Sequence, residues 1–166
     1  MSIAIDLAVE QDAWDAVPDL DGLIRRAVDA AAAGCGITLA PEAEVSILLC
    51  DDAAIQPLNR DWRGFDKPTN VLSFPAFSPL GLDRKPLLGD LAVALETVRR
   101  EADQDNKTVP DHLSHLIVHG FLHLVGYDHE AEAEAEAMEA LETRILAGLG
   151  IADPYAETDL VEAVAR

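Results

Sequence analysis

Cysteine is scarce in this chain: Cys35 and Cys50 are its only two, each beside apolar residues and with no cysteine nearby in sequence. That excludes a disulfide framework and a four-thiolate zinc site, and leaves two reduced thiols in or near the core. Positive charge is short as well, with 12 Lys and Arg against 31 Asp and Glu and a formal charge of -19, the acidic excess being heavy in the final third. Such a balance favours solubility and opposes nonspecific attraction to phosphate backbones or anionic lipid. No uncharged apolar run is long enough to span a membrane. Residues 1–10 lack a basic start and carry Asp6 and Glu10 among alternating apolar residues, the pattern of a first strand rather than of a secretion signal. No long polar linker divides the 166 residues, a length that buries one substantial core. The expectation is a soluble, cytoplasmic protein with one domain over residues 1–155, a tail at 156–166 and no membrane association.

The remaining pattern alternates strands with helices. Leu20, Ile24, Ala27, Val28 and Ala31 form the apolar face of a helix that Asp21 is placed to cap and Gly34 and Gly36 to stop. Val45–Cys50 reads as a strand, Asp51 caps a second helix through Ile55 and Leu58, and Gly64 opens a loop. Asn70–Phe74 and Leu87–Ala94 read as further strands, the first ended by Pro75 and Pro79 and the second bent at Gly89. A helix follows from Leu95 to about Asp105. Thr108 and Asp111 have capping-box spacing at the start of another, and Met138, Leu141, Ile145 and Leu149 mark the last, whose glutamates from Glu130 to Glu136 form a solvated face. The fold class is α+β: a small mixed four-stranded sheet with about five helices and a metal site at the end of a central helix. Strand order does not follow from periodicity.

All five histidines fall between positions 112 and 129. His119 and His123 lie one helical turn apart, and Gly126 breaks the helix so that the chain can return His129 to them. Three neutral imidazoles suit zinc, and a fourth coordination position left to water is the arrangement used for hydrolysis. A rival trio, His115, His119 and His123, keeps to one helix, which puts its outer members two turns apart. His115 is expected beside the cluster or against the sheet, and His112 exposed in the first helical turn. Asp128 lies near the metal or makes a backbone hydrogen bond in the turn; it is also the candidate fourth ligand of a purely structural site. The spacing His-x-x-x-His-x-x-Gly-x-x-His is that of a metalloprotease motif, but Gly120 stands where those enzymes place the glutamate that activates water.

Arg60, Arg63, Lys67, Arg84, Lys85, Arg99, Arg100 and Lys107 lie mid-chain, where they can line one functional face or stand separately in solvent. Trp62, Phe65 and Tyr127 are candidates for stacking on bases, with burial against the sheet the expected place of Trp62 and Phe65. Thr69, Asn70, Ser73, Gly89 and Asp90 surround strand ends, where support of the scaffold competes with contact to a substrate.

The ordered set His119–His129, Leu58–Arg60 with Arg63, Lys67–Pro75, Leu88–Leu91, and Met138, Leu141, Glu142, Leu149, Gly150, Asp153, Pro154 and Tyr155 resembles the bacterial YbeY-type endoribonucleases. The resemblance covers nearly the whole chain from the second strand onward. It implies a zinc-dependent, single-strand-specific endoribonuclease acting in 16S rRNA 3′-end maturation and ribosome quality control. It implies one Zn2+ per chain on His119, His123 and His129, and Arg63 as the functional arginine. The implied partners are single-stranded RNA and the small ribosomal subunit, with a ribosomal protein or ribosome-associated GTPase as further candidates. Arg63 suits contact with two nonbridging phosphate oxygens; its alternative is a surface or sheet-supporting role. Lys67 binds the anion or pairs with Asp66 in solvent. A noncatalytic assembly factor with a structural zinc and a metalloprotease are the competing readings.

Overall fold

The computed structural model describes residues 3–78 and 80–156. Met1 and Ser2 of the expected first strand, Pro79, and the expected tail apart from Ala156 lie outside the described residues. Four strands, β1 (Ala4–Val9), β2 (Glu44–Cys50), β3 (Val71–Pro75) and β4 (Leu87–Ala94), make one sheet in the order β1-β2-β4-β3. β1, β2 and β4 run parallel, and β3 pairs antiparallel with β4 at one edge. Five α-helices accompany them: α1 (Leu20–Gly34), α2 (Asp52–Arg63), α3 (Leu95–Gln104), α4 (Val109–Leu124) and α5 (Glu132–Gly148). The mixed four-stranded α+β architecture is the one the sequence pattern implies.

The central strands are apolar on both faces because both are covered. Val45, Ile47 and Leu49 of β2 join Leu88, Leu91 and Val93 of β4 in the main core beneath α1, α4 and α5. Cys50, Ala92, Ala94 and Leu72 face the other way, against Ile55 of α2. Trp14, fully buried, donates its indole N–H to the carbonyl of Cys50 at 2.9 Å and closes the far end of β2.

Local capping mostly follows the sequence. Asp51 accepts from the Ala54 amide at 2.8 Å and Thr108 from the Asp111 amide at 3.1 Å. Asp21 does not cap α1; Asp19 holds the N-cap position in a left-handed conformation and makes no side-chain cap bond. Asp21 lies in the first turn, where a carboxylate still complements the helix dipole.

Two glycines set how closely α4 approaches the sheet. At Gly89 φ is +145°, and a Cβ there would sit 2.4 Å from the Phe74 carbonyl oxygen and 2.9 Å from Leu124, so only glycine lets β3, β4 and α4 meet. At Gly120 a Cβ would lie 2.9 Å from Leu91 and 3.2 Å from the Ser73 hydroxyl. Ser73 donates to the Gly120 carbonyl at 3.2 Å, joining edge strand and helix at that contact.

Candidate metal centre

α4 carries its leucines, isoleucine and phenylalanine inward and its histidines along another stripe. His112, His115, His119 and His123 recur at helical spacing, so each ring lies near the next. The helix then ends: Gly126, at φ +106°, turns the chain, and the Tyr127 amide bonds back to the Leu122 carbonyl at 3.0 Å. The turn is tied to the end of α1 by the Tyr127 hydroxyl, which donates to the Cys35 carbonyl at 2.7 Å. This reversal brings the His129 ring to 4.8 Å from that of His123 and 6.0 Å from that of His119. One nitrogen from each of His119, His123 and His129 lies within 4.8 Å of the others.

The surroundings decide which nitrogen each ring offers. Glu142 of α5 is fully buried and accepts from His119 Nδ1 and His115 Nε2, both at 2.8 Å. Burial alone would raise the Glu142 pKa, but the hydrogen bonds from His115 and His119 and their charges outweigh it and hold the carboxyl well below its usual range. An ionised carboxylate only accepts, so His119 keeps its hydrogen on Nδ1 and turns a bare Nε2 toward the cluster. His123 Nδ1 lies 3.0 Å from the Tyr127 carbonyl oxygen, another pure acceptor, and its Nε2 is therefore bare too. The two Nε2 atoms stand 3.2 Å apart. Two facing lone pairs at that distance repel unless they share a cation. Burial, followed by the charges of His119 and His129, lowers the His123 pKa from 6.5 to about 4, so at neutral pH His123 brings no proton of its own into that gap. The donor set fits a divalent ion, and three imidazole nitrogens suit zinc.

The rival trio does not assemble. His115 groups with His119 and Glu142 rather than with His123, and its Nε2 is engaged by Glu142, with the Tyr155 hydroxyl 3.3 Å away. His112 is not the exposed first-turn residue that its position suggested. It is buried, with Nε2 donating to Glu101 at 2.8 Å, and Asn70 donates to the same carboxylate at 3.0 Å. Burial opposes ionisation of Glu101, but these two hydrogen bonds win and lower its pKa. Asp128 is exposed and accepts from the His129 amide at 2.7 Å, which is the backbone role in the turn.

The cluster opens into a cleft of about 1120 Å³ that Arg63, Trp62, Ser73, Asp90 and Tyr127 also line. Arg63, in the last turn of α2, is half-buried, and burial lowers its pKa without removing its charge. Its guanidinium stacks over Phe65 at 5.2 Å and donates to Asn59 Oδ1 at 3.5 Å, while buried Asn59 donates to the Lys67 carbonyl at 2.9 Å. The mid-chain cations do not gather into one face. Among the described residues Arg63 alone of them lines the cleft; Lys85 is buried, Arg99 reaches the Ala13 carbonyl and Arg100 pairs with Asp52. Lys67 lies over the Phe65 ring at 5.8 Å. Trp62 and Phe65 are exposed, 70% and 49%, rather than buried on the sheet; Trp62 meets β3 through an edge contact with Phe74. Asn70 accepts from the Val71 amide at 2.6 Å, a turn role at the entrance of β3. Glu142 is the working residue that spacing alone did not reveal: its histidine partners lie more than twenty positions away, and one glutamate among the several of an alanine-rich helix reads as surface.

Fold and site together define an α+β domain that gathers three imidazoles at the floor of an open cleft. A family profile described as endoribonuclease YbeY matches residues 7–150. The chain is 54% identical over 161 residues to an endoribonuclease YbeY of Rhodopseudomonas palustris strain BisB18, covering 95% of each chain. It is 57% identical over 156 residues to that of Bradyrhizobium diazoefficiens, covering 92% of this chain and 85% of the relative. A solution structure of a Thermotoga maritima protein shares the fold, with a TM-score of 0.54 at 24% identity, covering 96% of this chain and 99% of that one. The chain belongs to the endoribonuclease YbeY family.

Proposed function

We propose that this protein is a zinc-dependent endoribonuclease that cuts single-stranded RNA during maturation of the 3′ end of 16S rRNA and in ribosome quality control. Residues 1–155 are the catalytic unit, working in the cytoplasm on the small ribosomal subunit, with a ribosomal protein or ribosome-associated GTPase presenting the RNA. Family membership supports the reaction class. The observation that carries the reading is the convergence of His119, His123 and His129 in the cleft that Arg63 lines.

His119, His123 and His129 would hold the ion, one per chain. A divalent ion bound there supplies Lewis acidity toward a phosphoryl oxygen and toward a water molecule. Glu142 keeps His119 in the tautomer that offers Nε2, and the Tyr127 carbonyl does the same for His123. Arg63 is the catalytic residue of this reading: its guanidinium contacts nonbridging oxygens and stabilises the charge that grows as phosphorus becomes five-coordinate. Asn59 braces it.

The protease alternative lacks the glutamate base of its motif. Gly120 stands at the position after His119, packed so closely on Leu91 and Ser73 that a larger side chain there has no room. The test compares the metal-loaded and metal-stripped protein on unstructured RNA, duplex RNA and casein. Zinc-restored cleavage of unstructured RNA alone is expected; casein cleavage, or RNA cleavage indifferent to metal, defeats the reading. A 5′ phosphate on the product indicates attack by water, and a 2′,3′ cyclic phosphate indicates attack by the RNA's own hydroxyl.

A further inference from the structure

The cleft is poor in positive charge for a nucleic-acid site. The chain carries a formal charge of -19, and Arg63 is the one Lys or Arg lining the cleft among the described residues. Beyond a bound ion, the side chains offer phosphates little more than that one guanidinium under those conditions. What the cleft offers instead is aromatic surface.

Trp62, Phe74, Tyr127 and Tyr155 line it and Phe65 stands beside Arg63, and their contacts separate them: Tyr155 is engaged by Glu142 and His115, and Phe74 backs Trp62. The Phe65 ring is engaged by two cations, Arg63 at 5.2 Å and Lys67 at 5.8 Å. Tyr127 is tethered through its hydroxyl to the Cys35 carbonyl, holding the turn before His129. Trp62 is different: it lines the cleft, is 70% exposed, and is held by an edge contact with Phe74, ring centres 5.5 Å apart at 70°. A large apolar ring braced from one side and open on the other, adjacent in sequence to the candidate phosphate-binding arginine, has the form of a stacking platform.

We propose that Trp62 is a base-stacking subsite that takes an unpaired nucleobase of the RNA while Arg63 holds a neighbouring phosphate. This rests on the endoribonuclease reading and adds how the strand is held. Every base has a π face, so the platform accepts any sequence, but a base paired in a duplex cannot leave its own stack to reach it without cost. Preference for unpaired RNA then arises from Trp62 rather than from the metal.

Fluorescence reads the subsite directly, because Trp14 and Trp62 are the only tryptophans and Trp14 is fully buried. The metal-loaded protein is titrated with a nuclease-resistant 2′-O-methyl phosphorothioate oligonucleotide and with an abasic strand of equal length. Binding is followed in parallel by anisotropy. The base-bearing strand is expected to quench emission and the abasic strand to leave it unchanged, with no quenching in Trp62→Phe. Trp62→Ala should bind about tenfold more weakly. On cleavable unstructured RNA its KM should rise by a similar factor with kcat within about twofold of wild type, and Trp62→Phe should recover most of the loss. Binding without quenching, or wild-type affinity in Trp62→Ala, overturns the subsite and leaves the nuclease reading standing. If the metal-loaded wild type neither binds nor cleaves unstructured RNA, both fall.

Discussion

Glu142 shows how much one buried side chain determines. Its two oxygens accept from His119, His115 and Tyr155, and all three donors lose their acceptor together if it is removed. Glu142→Ala is expected to weaken zinc binding about 10- to 100-fold and to lower stability by about 3 kcal/mol, measured by metal titration and by denaturant unfolding of the metal-free protein. Unchanged metal affinity would mean that His119 needs no orienting partner. His123 gives the acid response. Above pH 6.5 its imidazole is neutral in both folded and unfolded chains and contributes nothing to pH dependence. Between 6.5 and about 4 the unfolded chain takes up a proton that the buried ring refuses, so the metal-free protein loses stability as pH falls through that window, and the loss levels off below it. Denaturant midpoints at pH 7, 5.5 and 4 check this, and a His123→Gln variant should show a shallower response, with the contributions of His115, Glu101 and Glu142 remaining. Cys50 responds to neither: burial, then the charges of Asp51, Glu10, Asp52 and Glu96, push its thiol up to about 12, so native protein at pH 8 should resist alkylation at that position. At this scale the sequence was legible for the three clustered histidines, whose spacing carries its own geometry. It was not legible for His112, because the acceptor that buries it, Glu101, sits on a different helix.

Among the elements, α4 is the one on which the site depends. Its leucines pack on the sheet, its histidines face the cleft, and Gly120 allows the close approach of the two surfaces. Gly120→Ala should destabilise by about 1–3 kcal/mol through overpacking against Leu91, read as a lowered denaturant midpoint with an unchanged slope. Gly120→Glu should disrupt the domain without creating peptidase activity. Both outcomes follow from the helix's orientation, which a protease-like motif alone does not reveal. Helix and strand positions were readable because apolar periodicity and caps such as Asp51 and Thr108 are local signals. The end of α2 was not. Trp62 near the end of α2 and Phe65 just after its Gly64 cap are apolar yet stand exposed, and pattern cannot tell a covered ring from an uncovered one.

For the molecule as a whole, strand order brings the parts together. Placing β3 at the sheet edge beside β4 sets Ser73 against α4 and leaves room between α2 and the histidine stripe for the cleft. Periodicity marked each strand but carried no information on its neighbours. No helix among the described residues is long and apolar enough to cross a membrane. The acidic surface leaves few cations to displace counterions, so RNA affinity should fall only gently with salt, with a log–log slope near -1, about what one or two phosphate contacts produce. A slope steeper than about -3 would point to a basic binding face elsewhere. The central claim is that three imidazoles act on one ion. Its most direct test is bound zinc and cleavage of unstructured RNA measured on the same samples of wild type and His129→Ala. His129 lies in the loop after α4 and is not part of the core, so the variant should fold, yet it should lose both stoichiometric zinc and turnover. A folded His129→Ala protein that keeps one zinc per chain and cleaves RNA at the wild-type rate would contradict the account.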